Sequence, residues 1–274
     1  LCLYVNNLKQ INATLYSNFI KLTAIGEDTF NWYDISPTIT EEQMYFTAGF
    51  ADSNKVIVAG RDGVIFRKQD TDSWIDVSEY SNKFAPVHSL EFNTNVYFVG
   101  LHGIILKISD NDKLYTNWDY STQTHINDTC RIGINTVVVV GSNSKIATTT
   151  DFETWNFINL NKNIDLKSIA YFKGRCIAVG DFYSVNSIDL NTGVVVKINM
   201  PTTVSGGVRL SKIRVLNNTC YICGSNSTLL RSSDGVQWEK IKISTTNNLN
   251  IKFLEYVKGL YFAISDKNVF WSYD

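Results

Sequence analysis

A short β-rich run that ends in glycine recurs along the chain and sets what it can fold into. "KVIVAG" ends at Gly60, "VYFVG" at Gly100, "VVVVG" at Gly141, "CIAVG" at Gly180 and "CYICG" at Gly224. "LYFAIS" stops at Ser265 in the same place, and a fainter copy, "ATLYSN", ends at Asn18. The period is about 40 residues, a length at which each repeat is one supersecondary unit that buries its apolar face only against its neighbours. Each unit has the same grammar. An apolar stretch reaches a tight turn ("SNK", "NTN", "INT", "KGR", "LNN", "VKG") and the anchor run follows. A polar loop then leads to an alternating stretch such as "VIFRKQD" or "TLLRSSD", and a tryptophan strand closes the unit.

Asn/Gly turns between β-branched runs signal hairpins, and no stretch sustains a 3.6-residue period. All three prolines, Pro37, Pro86 and Pro201, fall between units, as expected of a residue that cannot donate to a sheet ladder. Four short antiparallel strands per unit at this period predict an all-β fold, a seven-bladed β-propeller of four-stranded antiparallel blades, with six blades as the alternative. The units run roughly 8–36, 43–78, 87–120, 126–160, 166–199, 210–244 and 251–274, all within a single domain of residues 1–274. The last unit lacks a fourth strand, while "LCLYV" at 1–5 precedes the first. The expectation is that residues 1–5 pair beside Val269 to Ser272 and close the ring, because an open edge is an aggregation hazard.

Asp and Trp recur four residues apart at Asp28/Trp32, Asp70/Trp74, Asp151/Trp155 and Asp234/Trp238. That spacing suits a hairpin in which Asp accepts turn amide hydrogens while Trp opens the next strand and packs on its blade. A catalytic group is not needed once per blade, so the reading is structural. "SSDGVQW" at 232–238 resembles the short Asp-box, or BNR repeat, of sialidase-like propellers, which also occurs in photosystem assembly propellers and phage tail proteins. "TTDFETW" at 149–155 lacks the glycine, the third unit has an insertion between Asp110 and Trp118, and the fifth ("IDLNTGVVV") has lost the Trp. Such a repeat marks a fold and carries no activity by itself.

The same resemblance implies what a sialidase would need: an Arg-Ile-Pro-like motif, three convergent arginines, a Tyr/Glu pair and an acid aspartate. No Arg-Ile-Pro occurs. Strand order puts Arg61 at the end we call the top, with Arg131 and Arg175 near the opposite turns, so no carboxylate clamp forms. The chain is therefore read as not an enzyme, with a sialidase-like glycoside hydrolase as the alternative. An assembly-factor propeller is a further alternative, but seven scattered arginines make no basic patch.

With 25 Lys+Arg against 26 Asp+Glu, composition offers no nucleic-acid partner, and apolar runs of strand length imply no membrane insertion. "CYIC" at 220–223 has zinc-like spacing, yet strand residues three apart face opposite ways, so the five cysteines read as unliganded thiols. Phosphate-binding loops are missing and no cofactor is implied.

One grouping suggests a site. His88, His102 and His125 fall at the top beside Arg61 and Asp62, forming a candidate polar binding patch, with solvated loop residues as the plain alternative. Variable loops on a rigid disc favour a binding or structural module. An Asn-, Ile-, Ser- and Thr-rich composition resembles phage tail and baseplate components. That resemblance implies a virion or extracellular setting, with the cytoplasm left open. Its partners would be other structural proteins of a particle or a cell-surface glycan.

Overall fold

The computed structural model describes residues 11–16, 19–24, 46–51, 55–60, 64–69, 74–78, 85–109, 113–117, 124–160, 162–201, 207–243, 248–257 and 259–273. They divide between two compact units, one of residues 35–166 and one combining 2–34 with 167–274.

In the first unit, three four-stranded antiparallel sheets follow one another with strands in chain order. They are β3 (Phe46–Ala51), β4 (Lys55–Gly60), β5 (Ile65–Gln69) and β6 (Ile75–Asp76); β7 (Pro86–Phe92), β8 (Asn95–Gly100), β9 (Ile104–Ile108) and β10 (Lys113–Asn117); and β11 (Ile126–Ile132), β12 (Thr136–Gly141), β13 (Lys145–Thr149) and β14 (Asn156–Asn159). The second unit repeats the pattern with β15 (Leu166–Phe172), β16 (Arg175–Gly180), β17 (Ser184–Ile188) and β18 (Val195–Lys197), then β19 (Leu210–Leu216), β20 (Thr219–Gly224), β21 (Thr228–Ser232) and β22 (Glu239–Lys240). A three-stranded sheet of β23 (Ile251–Val257), β24 (Leu260–Ser265) and β25 (Val269–Ser272) follows, and β1 (Ile11–Tyr16) pairs with β2 (Phe19–Ala24). The six later units thus begin within a few residues of the sequence boundaries. Residues 1–5, and with them the expected ring closure, lie outside the described residues.

Apolar pattern follows burial strand by strand. In four sheets the second strand is covered on both faces: β8, β12, β16 and β20 are buried at every position after the first. This is why the anchor runs are continuously apolar rather than alternating. Their two faces join different clusters. Cys220 packs with Phe172, Ile177 and Trp238, whereas Cys223 packs with Ile251, Leu254 and Ala263. The Cys-x-x-Cys spacing therefore splits its thiols between opposite faces. Burial pushes the Cys220 thiol up to about 12, and the Cys223 thiol likewise.

Two devices shape the start of each sheet. A bulge shifts the register after the first residue of β3, β7, β11, β19 and β23, and a bulge re-aims the side chain it carries. Thr47 donates its hydroxyl to the Pro86 carbonyl, so the bulged residue ties its sheet to the start of the next, and Asn127 Nδ2 donates to the Leu166 carbonyl at 2.7 Å. The anchor glycine is the second device. A Cβ at Gly100 would lie 2.2 Å from the Ala85 carbonyl oxygen, and one at Gly224 the same distance from that of Arg209. No other residue fits there.

The aspartate turns form as expected. Asp151 Oδ1 accepts the backbone N–H groups of Glu153 and Thr154, both at 2.8 Å, and Asp234 Oδ1 accepts those of Val236 and Gln237 at 2.8 Å. Gly235 sits at φ +77. Phe152 holds the same place at φ +63, so the missing glycine changes the cost of the turn and not its shape. Asp28 and Asp70 lie outside the described residues.

Candidate functional site

In four of the sheets the end bearing the anchor glycine carries a two-residue turn, among the described residues. In 142–145, 181–184 and 225–228 the fourth residue's N–H returns to the first residue's carbonyl at 3.1–3.2 Å, and both central residues have positive φ. These are type I′ turns, whose twist matches the flanking strands and which favour Asn and Gly. The framework then braces them. Leu101, Ser142 and Ser225 donate their N–H to the carbonyls of Ala85, His125 and Arg209, while Ser144, Tyr183 and Ser227 donate to Ile164, Val208 and Leu249. Each turn is thus rigid, and its first central side chain is presented outward: His102, Asn143, Phe182 and Asn226 are all exposed.

In the first unit this geometry gathers part of the expected patch. His102 (φ 59) donates its backbone N–H to His125 Nδ1 at 2.8 Å, and the two rings meet edge to face at 5.2 Å. An accepting Nδ1 fixes His125 as the neutral ring with its proton on Nε2. His88 lies within β7 rather than in the loop before it, just past the bulge, and its Nδ1 is 3.4 Å from Oδ1 of the buried Asp128. Asp128 holds the equivalent position in β11, which is why the bulges bring the two together. Asp165 accepts the Asn143 N–H at 3.1 Å nearby in sequence to β15. Arg61 and Asp62 lie outside the described residues. Among the described residues no three His, Cys, Asp or Glu side chains stand close enough together to hold a metal ion.

In the second unit the same kind of turn displays Phe182, at φ 55 and 71% exposed. A bulky side chain in the left-handed region costs on the order of 1–3 kcal/mol, and an exposed ring returns no burial energy against it. Arg209 approaches the adjacent Asp181 at 3.9 Å, placing a guanidinium beside the ring's turn. Tyr183 turns the other way. Its ring packs on the core cluster, and burial pushes its hydroxyl up to about 12. Nothing in the sequence "DFYS" signals this display, because the position is normally Asn or Gly and a phenylalanine reads as core; only its turn geometry exposes it.

The second unit also holds a groove of about 970 Å³ between β18 and the aspartate turn that precedes β22. Val194, Val196, Ile198 and Met200 line one wall and Val236 and Trp238 the other, with Arg175 and Lys197 among the polar residues.

With sheets, bulges and turns in hand, the class is defined: the fold is that of a β-propeller. No family model matches the chain, and no curated protein matches it by sequence. Solved structures do match in fold. One is YCF48 bound to D1 peptide, with 15% identity over 86% of this chain and 79% of that one, at a TM-score of 0.68. Another is a catalytically inactive virginiamycin B lyase from Staphylococcus aureus with quinupristin, with 10% identity over 92% and 86% of the two chains and a TM-score of 0.72. A third, an extracellular domain of a two-component system from B. thetaiotaomicron, is 14% identical over 84% of this chain and 33% of that one, with a TM-score of 0.66. At these identities the likeness defines architecture, not activity.

Proposed function

We propose that this chain is a non-catalytic β-propeller that binds a partner protein through its exposed, backbone-strained turns. The observation that carries this reading is Phe182, a strained and exposed aromatic on a braced turn. Its cost is recovered only in a complex, where aromatic anchors supply much of the binding energy. His102, at the same turn position in the first unit and clasped to His125, extends the reading to the histidine patch, with Arg61 and Asp62 as its expected companions. A propeller of this architecture binding a peptide, as YCF48 does with D1 peptide, supports the class of partner.

The aspartate repeats and the composition resemble phage tail and baseplate propellers, so we place the partner among the structural proteins of a particle, with a cell-surface glycan as the second choice. Seven blades, the last completed by residues 1–5, is the ring we propose. The chain is expected to turn over no sialoside or aryl glycoside, and turnover that a single carboxylate substitution abolishes would remove the reading.

The test uses the purified chain and a partner identified by co-purification from its source. Phe182→Asn is expected to raise Tm by about 2–4 °C, the equivalent of roughly 1 kcal/mol in a chain of this size, while weakening partner binding at least tenfold. Unchanged binding together with the raised Tm would overturn the assignment.

A further inference from the structure

We infer that the groove beside β18 is a second binding site, one that takes an extended, acidic segment of a partner polypeptide by strand addition. The backbone register supplies the first argument. The Asp189 N–H bonds to the Val194 carbonyl and the Ile198 N–H to the Val185 carbonyl, and Ser187 stands opposite Val196. Residues 194, 196 and 198 therefore direct their backbone groups into the sheet, and Val195 and Lys197 direct theirs outward. The outer edge of β18, the last strand in its sheet, so offers two N–H and two carbonyl groups, with no partner for them among the described residues. An extended segment laid along that edge satisfies them and continues the sheet.

Side chains supply the second argument. Val194, Val196 and Ile198 share the face that lines the groove, opposite Val236 and Trp238. Val194 and Val196 are more than half exposed, an apolar strip on an edge of the kind that soluble proteins blunt with charge. An added strand places every second side chain over this strip. Trp238 is 8% exposed, and its indole N–H finds no acceptor among the described residues; a carbonyl or carboxylate in the groove would supply one.

Charge selects the occupant. Arg175 and Lys197 line the groove with Asp189 as its acidic member. The Asp189 carboxylate already accepts the Asn191 and Thr192 N–H groups of its own turn. Two cations against one carboxylate leave the groove with a net positive charge, so the segment alternates apolar residues with Glu or Asp.

This site is separate from the Phe182 turn, and the two fail separately. The probes are fluorescein-labelled decapeptides alternating Val with Glu, the same peptides with Lys for Glu, and the Glu peptide N-methylated at alternate amides. Fluorescence anisotropy is expected to show binding of the Glu peptide alone, weakened at least tenfold by Val196→Asp and by Arg175→Glu, with Phe182→Asn binding as the wild type does. Both variants lie on exposed positions, and their far-ultraviolet circular dichroism is expected to be native. Equal binding of the Lys or N-methylated peptide overturns the inference, as does binding unchanged in both variants. No binding of the Glu peptide, with the co-purified partner still captured through Phe182, overturns it too and leaves the turn reading standing. Concentration-dependent dimerisation abolished by Val196→Asp would assign the edge to a second copy of the chain and overturn the acidic segment.

Discussion

Phe152 and Gly235 hold the same turn position and show how one residue can be fixed from two directions. A Cβ at Gly235 would come within 2.9 Å of Ile177 and 3.4 Å of Phe172. Phe152 meets the matching residues of its own neighbouring sheet: its ring stacks on Tyr97 at 3.9 Å and meets Phe92 edge-on at 5.7 Å. Tyr97 and Ile177 are each third in their strand, and Phe92 and Phe172 each last. Where glycine leaves room to the previous sheet, phenylalanine fills it. Phe152→Gly is therefore expected to relieve backbone strain of about 1 kcal/mol yet lose a buried aromatic worth about 3–5 kcal/mol, for a net destabilisation of about 2–4 kcal/mol in urea unfolding. A stabilised variant would mean that the ring contributes less than the strain. The thiols make a second residue-scale case. With Cys220 and Cys223 both pushed up to about 12 by burial, neither is reactive in the folded chain at pH 8. Their labelling by a disulfide reagent is expected to follow the rate of unfolding, and rapid native-state labelling would contradict the packing.

At the scale of the element, the aspartate turns couple stability to pH. Thr154 and Glu153 backbone N–H groups hold the Asp151 carboxyl at about 2, below its ordinary 3.8, and Gln237 and Val236 lower Asp234 in the same way. A lowered carboxyl stabilises the fold above its unfolded value, and the contribution fades as pH falls through the folded one. Urea midpoints are thus expected to fall between about pH 5 and pH 2, and the Asp151→Asn, Asp234→Asn double variant to fall less steeply over that range. Equal slopes would count against the turns as the source. The bulges make a comparable prediction. Asn127→Leu strands the Leu166 carbonyl and is expected to cost about 1–3 kcal/mol, read from the same urea curves. These turns were legible because their Asp-to-Trp spacing recurs, and the second strands because four apolar residues precede each glycine. The bulge was not legible. It is one residue in register, with Thr47, Val87, Asn127, Ser211 and Lys252 sharing no chemistry. For that reason the meeting of His88 with Asp128 could not be foreseen, although strand order did place His102 and His125 at one end.

For the molecule as a whole, a formal charge of −1 and a sequence pI near 6.4 leave little electrostatic repulsion between copies close to neutral pH. Solubility is expected to pass through a minimum near that pH and to recover on either side, measured by static light scattering at low salt. A flat profile would show that exposed apolar groups such as Phe182 and Val196 set association instead. The braced turns carry a last consequence. Because the framework beneath each turn is held by main-chain groups, by the inward side chains of Ser144, Tyr183 and Ser227 at the second central position, and by glycines at Gly100 and Gly224 that nothing else can replace, the first central residue of a turn is free to drift without disturbing the sheets. His102, Asn143, Phe182 and Asn226 already occupy that place in the four described turns. Under the function proposed above, a lineage of such chains can therefore exchange what it recognises by changing one codon at a time, while selection on the scaffold stays almost blind to the trade.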